Sequence, residues 1–386
     1  MQMGLGALQI GSRKALKALV SLLYGGFLLN SGKGAAAEMR NPKRILLLHG
    51  AHIGDVVIAT SLLPILRSAY PSAQIGFVTA SWSQAVVKGH PALTYTHCID
   101  HWRMNRADSS LLKKILQYRR TRRAALREIR ELNYDVAISL FRYFSDLLDV
   151  TWAARIPVRI GFRRSIFSSL ATDLVDELES PFLHQGALLA ELLHVLPIDP
   201  AHFQLRHSTL PESDASSIQE VCSLLNVSHL QDVRYRIIHM GTGAACREFP
   251  ISFWRELAEK LSETHTLLFT GRGKRENEKI AETIFGLRNC VNACDRLTWA
   301  GFVAAVRFAE VLYGVESMAG HVAGAVGTRC VVVYGGTAGV ARWRPEGKDS
   351  IVFTNHVPCA PCLRPQGCAE MTCTQGTSPD DLVRLG

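Results

Sequence analysis

The sequence lacks several features that would define a protein class at once. It contains no apolar run of about 18 residues, so no membrane-spanning helix is predicted. Neither Gly241-Thr-Gly243 nor Gly271-Arg-Gly273 extends into a dinucleotide-binding fingerprint, and no Gly-Lys-Ser/Thr sequence stands in a suitable loop. These absences argue against a dehydrogenase and an NTPase. The 47% hydrophobic and 20% charged residues exclude a disordered chain.

One long segment of the chain has far fewer acidic than basic residues. The 386 residues include 43 Lys and Arg against 34 Asp and Glu, a formal net charge of +9. Residues 101–170 hold 15 of the basic and 6 of the acidic residues, and this excess equals the net charge of the whole chain. The protein is therefore a neutral molecule that carries one basic segment.

Residues 1–40 form an N-terminal extension with three open interpretations. Basic residues precede a mostly apolar stretch at 18–29, as in a cleaved secretory signal. Because Gly25 and Gly26 interrupt that stretch, a basic amphipathic helix on a membrane surface fits equally well. The third interpretation is a dispensable extension. The rest of the chain has a cytosolic character, which counts against export.

Short apolar runs alternate with helical patterns along the remainder. Such continuous runs are typical of strands buried on both faces of a parallel sheet, so an α/β class is predicted. The predicted strands are Arg44–Leu48, Gln74–Thr79, Thr94–Ile99, Asp135–Leu140, Tyr235–His239, Thr266–Thr270, Glu310–Gly314 and Cys330–Tyr334. The predicted helices are Asp55–Arg67, Ser110–Leu132, Ser252–Leu261 and Lys274–Ile284.

The pattern begins near Asn41 and restarts near Arg234, which predicts two doubly wound, Rossmann-like domains. We place the first at residues 41–200 and the second at 201–386, with the crossing between them inside the less regular residues 165–232. Domains of this kind bind ligands at the carboxyl ends of their strands. The expected site is therefore a central cleft that both domains face.

Asp55 lies at the first junction between a strand and a helix. Two interpretations stand side by side. As a structural residue, an aspartate in the first turn caps the helix and favours its dipole. As a functional residue, it is a general base that removes a proton from an acceptor hydroxyl, and the helix end keeps the carboxylate ionised.

A second junction, Gly314–Thr328, combines a strand end, small residues and a helix start. Its exposed N–H groups are suited to a diphosphate, with Ser317 as helix cap, Glu316 as acceptor for sugar hydroxyls and His321 as phosphate contact. Spacing of Gly320 and its neighbours is equally typical of close helix–sheet packing. A third junction places Thr242 and Arg247 in one loop, where a cation would stabilise a departing diphosphate. The alternative for Arg247 is an exposed loop arginine.

Four segments, taken together, resemble glycosyltransferase family 9, the heptosyltransferases of lipopolysaccharide core assembly. The resemblance runs in order from about Arg44 to Leu382. The matching segments are Ile53-Gly-Asp55-Val-Val with Leu63-Pro-Ile-Leu-Arg67, Phe249-Pro with Phe253-Trp254, Glu316-Ser317 with His321-Val-Ala-Gly-Ala-Val-Gly-Thr328, and the tail Cys359-Ala-Pro-Cys362 with Ser378-Pro-Asp-Asp-Leu382.

The resemblance implies a GT-B fold and an inverting transfer that needs no catalytic cofactor or metal. It implies that Asp55 is the catalytic base and that Arg247 contacts the donor phosphates. Donor-binding positions are also implied at Glu316, Ser317, Gly320, His321, Thr242 and Glu276. ADP-heptose is the expected donor, bound by the second domain, while the first domain binds the acceptor, with His52 among its contacts.

The chain departs from the family pattern at a few positions. The family usually has Asp at position 316 and Gly at 318, where this chain has Glu316 and Met318. An Arg is usual at His49, and a Lys is usual at Arg247. These differences keep two alternatives open, namely a GT-B transferase with another nucleotide sugar or acceptor, and a catalytically inactive GT-B scaffold.

Four cysteines crowd into the tail, with the spacing Cys359-x2-Cys362-x5-Cys368-x4-Cys373. This spacing suits four thiolates around one structural zinc or iron ion. Reduced thiols without metal and disulfides are the other two interpretations. Any such metal would be structural and distant from catalysis.

The basic segment lies in the domain that the resemblance assigns to the acceptor. We expect Arg119, Arg120, Arg122 and Arg123 to attract an anionic lipid-linked saccharide and the inner face of the cytoplasmic membrane, so the protein is expected to be cytoplasmic and peripheral. A solvated helix face is the structural alternative. A nucleic-acid partner is not expected, since aromatic interleaving is sparse and no reader motif accompanies the helix.

Overall fold

The computed structural model describes residues 34–141, 146–178, 180, 182–337, 339–362, 364 and 366–386. The apolar part of the extension, residues 18–29, lies outside the described residues. Within them, no helix is both long enough and apolar enough to cross a bilayer. The chain divides into two compact units. Among the described residues, one unit comprises those up to residue 178 together with Gly186–His207, and the other comprises those from 180 to 185 together with those from 208 to 386.

The first unit is built on a six-stranded parallel sheet with the strand order β3-β2-β1-β4-β5-β6. Its strands are β1 (Arg44–Leu48), β2 (Gln74–Thr79), β3 (Tyr95–Cys98), β4 (Val136–Ser139), β5 (Val158–Phe162) and β6 (Asp173–Val175). Its helices are α1 (Ile53–Ala59), α2 (Leu62–Ala69), α3 (Gln84–Val87), α4 (Leu111–Leu132) and α5 (Leu148–Ala153). The central strand β1 is almost entirely buried, as the continuous apolar run predicted.

The second unit repeats this plan with the order β12-β11-β10-β7-β8-β9, again fully parallel. Its strands are β7 (Tyr235–His239), β8 (Thr266–Thr270), β9 (Cys290–Asn292), β10 (Leu312–Val315), β11 (Cys330–Tyr334) and β12 (Ser350–Thr354). The remaining helices of the described residues are α6 (Gln185–Ala190), α7 (Ala215–Leu225), α8 (Ile251–Ser262), α9 (Lys274–Ile284), α10 (Trp299–Phe308), α11 (Met318–Val326), α12 (Val340–Trp343), α13 (Thr372–Gln375) and α14 (Pro379–Leu385).

The core of the second unit lies between its sheet and helices α8 and α14. Trp254 and Leu257 of α8 are buried there, as is Leu382 of α14. The tail that follows β12 therefore returns to close the core rather than extending from the unit. Lys260 strengthens this closure, because its Nζ lies 2.7 Å from the carboxylate of Asp380.

One predicted helix, Asp55–Arg67, is wrong as a single element. The structure has two helices there, α1 ending at Ala59 and α2 beginning at Leu62. Pro64 explains the break, because a proline removes a helix hydrogen bond and its ring clashes with the carbonyl four residues earlier, here Thr60. The change of direction leaves Asp55 on a helix of only seven residues.

Candidate active site

Both sheets place a topological switch point at the carboxyl ends of two central strands. In the order 3-2-1-4-5-6, connections leave the first and fourth strands towards opposite sides, which opens a crevice between them. The switch points here lie between β1 and β4 and between β7 and β10. Asp55 follows β1, Thr242 follows β7 and Glu316 follows β10. Three of the predicted site residues therefore lie beside a switch point of their own unit.

In the second unit, the loops after β7 and β10 contact each other directly. The hydroxyl of Thr242 donates to the carbonyl oxygen of Glu316 at 3.2 Å. Arg247, in the short 3-10 turn Ala245–Arg247, lies with Nη1 3.1 Å from Glu316 Oε1. The structure thus brings together three residues that the sequence placed on two separate junctions, and Arg247 is paired rather than a free loop arginine.

Glu316 has the most perturbed surroundings of this group. The residue is only 5% exposed. Burial raises the pKa of its carboxyl from 4.5 to about 7, and Arg247 opposes that shift. Its Oε2 and the hydroxyl of Ser317 are buried and make no hydrogen bond among the described residues. Buried polar atoms of this kind are usually satisfied, so two adjacent ones leave bonding capacity for a bound molecule.

Helix α11 begins at this point and carries Gly320 and His321. Gly320 packs against the sheet, since a Cβ there would lie 2.8 Å from Pro345 Cγ and 3.1 Å from Val332 Cγ2. Gly320 therefore allows close packing of the helix on the sheet, which was one of the two interpretations of its spacing. His321 is half-buried, and burial lowers its pKa to about 4, with a smaller contribution from His184. At neutral pH the imidazole is uncharged, so it acts as a hydrogen-bonding group.

Glu276, in the first turn of α9, packs against the loop that follows β7. Its carboxylate accepts a hydrogen bond from the backbone N–H of Arg272 at 2.8 Å. A Cβ on Gly241 would lie 2.4 Å from Glu276 Oε2, so the carboxylate occupies the space that a side chain at 241 would need. Glu276 is thus next to the residue that precedes Thr242, and Gly241 must be glycine for this contact.

In the first unit, Asp55 caps helix α1. Its Oδ2 accepts from the backbone N–H of His52 at 3.2 Å, the return half of a capping box. Asp55 therefore does cap the helix, as the structural interpretation predicted. A role as general base must be compatible with this hydrogen bond. His52 is half-buried, and burial together with the charge of Arg106 lowers its pKa to about 4. An uncharged His52 fits a contact to sugar hydroxyls.

The four arginines of helix α4 do not share one surface. Arg119, Arg120 and Arg123 are exposed. Arg122 instead points towards α5, where its Nη2 lies 2.7 Å from Asp149 Oδ2 and its Nε lies 3.2 Å from the same oxygen. Position 122 falls on the inner side of the helix, which explains why it differs from its neighbours. The expected basic surface therefore consists of the other three.

Asp146, a fully buried carboxylate shortly after β4, was not predicted from the sequence. It accepts from the backbone N–H of Leu148 at 3.1 Å and from the hydroxyl of Ser165. Burial raises its pKa well above the ordinary value. Its position after β4, beside the switch point, was the available signal, although six residues separate it from the end of that strand.

The four cysteines of the tail differ in their surroundings. Over the described residues, no three His, Cys, Asp or Glu side chains are grouped closely enough to hold an ion. Cys373 is buried near Gly336, whereas Cys359 is exposed. All ten cysteines are free, which contradicts the disulfide interpretation.

Two six-stranded, doubly wound units with a polar crevice at a switch point define the GT-B class of glycosyltransferases. The model of glycosyltransferase family 9 (heptosyltransferase) matches residues 122–372, and the chain belongs to this family. It is therefore a glycosyltransferase.

Individual relatives agree with the family assignment. The chain is 25% identical to lipopolysaccharide heptosyltransferase 1 of Pseudomonas aeruginosa over 343 residues, which cover 88% of this chain and 89% of that protein. Its fold is similar to that of ADP-heptose LPS heptosyltransferase II of E. coli, with a TM-score of 0.70 at 19% identity over 89% of this chain and 97% of that one. It is also similar to E. coli heptosyltransferase WaaC with ADP, with a TM-score of 0.65 at 16% identity over 88% and 98% of the two chains.

Proposed function

We propose that this family 9 enzyme transfers a heptose from ADP-heptose to a lipopolysaccharide core precursor, with inversion and without a catalytic metal. One observation supports the proposed donor-binding site. Two buried, unpartnered polar atoms, on Glu316 and Ser317, stand beside the Arg247 cation at the β7–β10 switch point. The relative that covers 88% of this chain is a lipopolysaccharide heptosyltransferase, and that favours this sugar and this acceptor.

The donor half assigns one task to each group. The carboxylate of Glu316 accepts hydrogen bonds from sugar or ribose hydroxyls, and its Oε2 has the capacity to do so. Arg247 is about one-third exposed and already lies beside that carboxylate, so its remaining N–H groups bind the diphosphate. As the anomeric bond breaks, negative charge grows on the leaving diphosphate. Arg247 and the backbone N–H groups at the start of α11 stabilise that charge.

The acceptor half rests on Asp55. In the proposed reaction its carboxylate removes the proton from an acceptor hydroxyl, and that oxygen attacks the anomeric carbon on the face opposite the diphosphate. The capping bond to His52 holds the carboxylate in place. His52, uncharged at neutral pH, contacts the acceptor nearby.

The acceptor proposed is an anionic, lipid-linked saccharide on the inner face of the cytoplasmic membrane. The excess of basic residues in 101–170 supports this choice, because it concentrates the positive charge of the protein in the unit that contains Asp55. Arg119, Arg120 and Arg123 are the exposed part of that charge.

A nucleotide panel with one variant tests the proposal. ADP should stabilise the protein against thermal unfolding more than UDP or GDP, and ADP-heptose with a core acceptor should yield product. Asp55→Asn should lower turnover by about a hundredfold or more, the ordinary contribution of a general base, while leaving ADP binding intact.

The matched control is Asp381→Asn, another aspartate in the first turn of a helix, and it should leave transfer unchanged. Near-normal turnover in Asp55→Asn would refute the base assignment. ADP binding by the unmodified protein without any transfer would favour the alternative of a catalytically inactive scaffold. Met318, where the family usually has Gly, is the reason for retaining that alternative, because it adds bulk at the start of α11.

A further inference from the structure

Helix α4 has one face packed on its unit and the opposite face in solvent. On the inner face, Ala125 and Ile129 are buried and Arg122 pairs with Asp149. On the outer face, Leu112 is 66% exposed and Leu116 is 55% exposed. An ordinary surface helix carries its leucines on the inner face only. The apolar residues on the outer face therefore call for an explanation other than core packing.

The outer face continues as a stripe along several turns of the helix. Its members recur every three or four residues, with Arg119 and Arg120 side by side in the middle, so they line one side of the cylinder over about 22 Å. The outer stripe comprises Leu112, Leu116, Arg119, Arg120, Arg123 and Arg127, all exposed. Leucines occupy its N-terminal end and arginines the rest.

No carboxylate interrupts this stripe. Residues 111–127 contain no Asp or Glu, and the first acidic residue, Glu128, is bonded to His97 at 2.7 Å on another side of the helix. Solvated helices usually alternate positive and negative charge, with pairs four residues apart. A stripe of uncompensated arginines instead produces a local field that attracts a polyanion.

The leucines indicate which polyanion. In the described part of the chain, eight large apolar side chains are exposed, and three of them, Leu111, Leu112 and Leu116, lie at this one end of α4. A soluble polyanion gains nothing from exposed leucines. An anionic bilayer does, because apolar side chains enter the boundary between head groups and acyl chains while arginines bind the phosphates.

We propose that the outer stripe of α4 docks the protein on an anionic lipid bilayer, with Leu112 and Leu116 inserted and the arginines on head-group phosphates. The inference rests on the proposed function in one respect only: that function includes an acceptor held in the membrane, which gives the protein a reason to dock there. Its experimental readout is lipid binding, which is independent of transfer.

Flotation of the full chain with vesicles tests this docking. One set of vesicles is phosphatidylcholine alone, and the other contains equal parts of phosphatidylcholine and phosphatidylglycerol. The unmodified protein should float with the anionic vesicles only. Replacing Arg119, Arg120 and Arg123 together by Gln should weaken binding about a hundredfold, since each basic residue near an anionic surface contributes about fivefold. Leu112→Gln with Leu116→Gln should weaken it about tenfold, since two partly buried leucines are lost.

Two control variants match these changes elsewhere on the surface. Phe285→Gln removes a side chain that is 81% exposed, and the triple change of Lys274, Arg288 and Arg296 to Gln removes three exposed positive charges. Both should float as the unmodified protein does. Circular dichroism of each variant shows that α4 is retained.

Three results would overturn the inference: equal flotation with both kinds of vesicle, unchanged flotation of the leucine variant, or equal losses in the control variants. If the arginine variant loses binding and the leucine variant does not, α4 is a site for a soluble polyanion and not a bilayer anchor. Failure of the proposed function gives a different pattern, namely no ADP stabilisation and no transfer, with vesicle binding unaffected.

Discussion

Replacing Glu316 with Gln should make the protein more stable at alkaline pH, although it deletes one partner of an ion pair. Burial raises the pKa of Glu316 to about 7 from the ordinary 4.5. A tenfold change in an acid dissociation constant corresponds to about 1.4 kcal/mol, so ionised Glu316 costs the folded state about 3 kcal/mol above pH 7. Arg247, being 38% exposed, can return to solvent at little cost when its partner is neutral.

The sign of the pH dependence follows from proton binding. Because the pKa is higher in the folded state, the folded protein holds this proton more tightly than the unfolded chain does. Stability therefore falls as the pH rises from about 4.5 to about 7, and the full cost is present above pH 7. A glutamine side chain remains neutral throughout but leaves a buried polar atom unsatisfied, at about 1 kcal/mol. The net gain for Glu316→Gln is thus about 2 kcal/mol at pH 8, and it disappears below about pH 5.

Urea unfolding of the two proteins, followed side by side from about pH 5 to about pH 9, measures this difference. Glu259→Gln is the matched control, because its carboxylate is about half exposed on α8 and its replacement should give no pH-dependent gain. A Glu316→Gln variant that is less stable than the unmodified protein at pH 8 would refute the reasoning, since the ion pair with Arg247 would then outweigh the cost of burial. Weaker ADP binding is expected in the same variant, as the proposed donor contact is lost.

Two further predictions concern packing and the thiols. Gly324→Ala should destabilise the protein by about 1–2 kcal/mol even though alanine is the better helix former, because the added Cβ would lie 2.5 Å from the backbone oxygen of Glu346 and overpacking exceeds the propensity gain of about 1 kcal/mol. Thermal unfolding checks this, and Gly339→Ala, with no atom within 4 Å of the new Cβ, should show no comparable loss. A thiol-specific reagent in denaturant should titrate all ten cysteines, and a lower count in non-reduced protein would contradict the free thiols of the structure.

The sequence predicted the buried strands well and the edges poorly. Strands β1, β2, β7, β8 and β11 have the predicted bounds, because each is a mostly apolar segment that both faces of a parallel sheet bury. The buried interior strand β5 was missed. The outer strands β6, β9 and β12 were not predicted either. These are short or only partly buried, so their composition is not distinct from that of loops. The alternation of strands and helices nonetheless predicted two doubly wound α/β domains, and the GT-B fold that the resemblance implied was confirmed.

The candidate site was predictable to the extent that strand ends can be located. Glu316, Thr242 and Arg247 were each predicted as site residues because they follow a predicted strand. Their contact with one another depends on β7 and β10 being neighbours in the sheet, and the sequence pattern does not reveal that strand order. Arg122 is a residue whose surroundings the sequence predicted wrongly. Its sequence neighbours are equally basic, and only the rotation of α4 against α5 turns it towards Asp149. The cysteine spacing alone was likewise not enough to decide between a metal site and free thiols, since spacing along a chain does not determine where thiols point.

The repeated strand order also has a consequence for synthesis on the ribosome. All six strands of the first sheet lie before residue 176, and β7 begins only at Tyr235. The nascent chain can therefore pair every strand of the first sheet while the second sheet has not yet been made, and domains generally fold as such units during translation. Parallel sheets form slowly, so this head start separates two sets of similar strands in time and limits pairing between the wrong ones. The interval between Val175 and Tyr235 includes Gly186–His207 of the first unit, so that unit is synthesised before any strand of the second sheet.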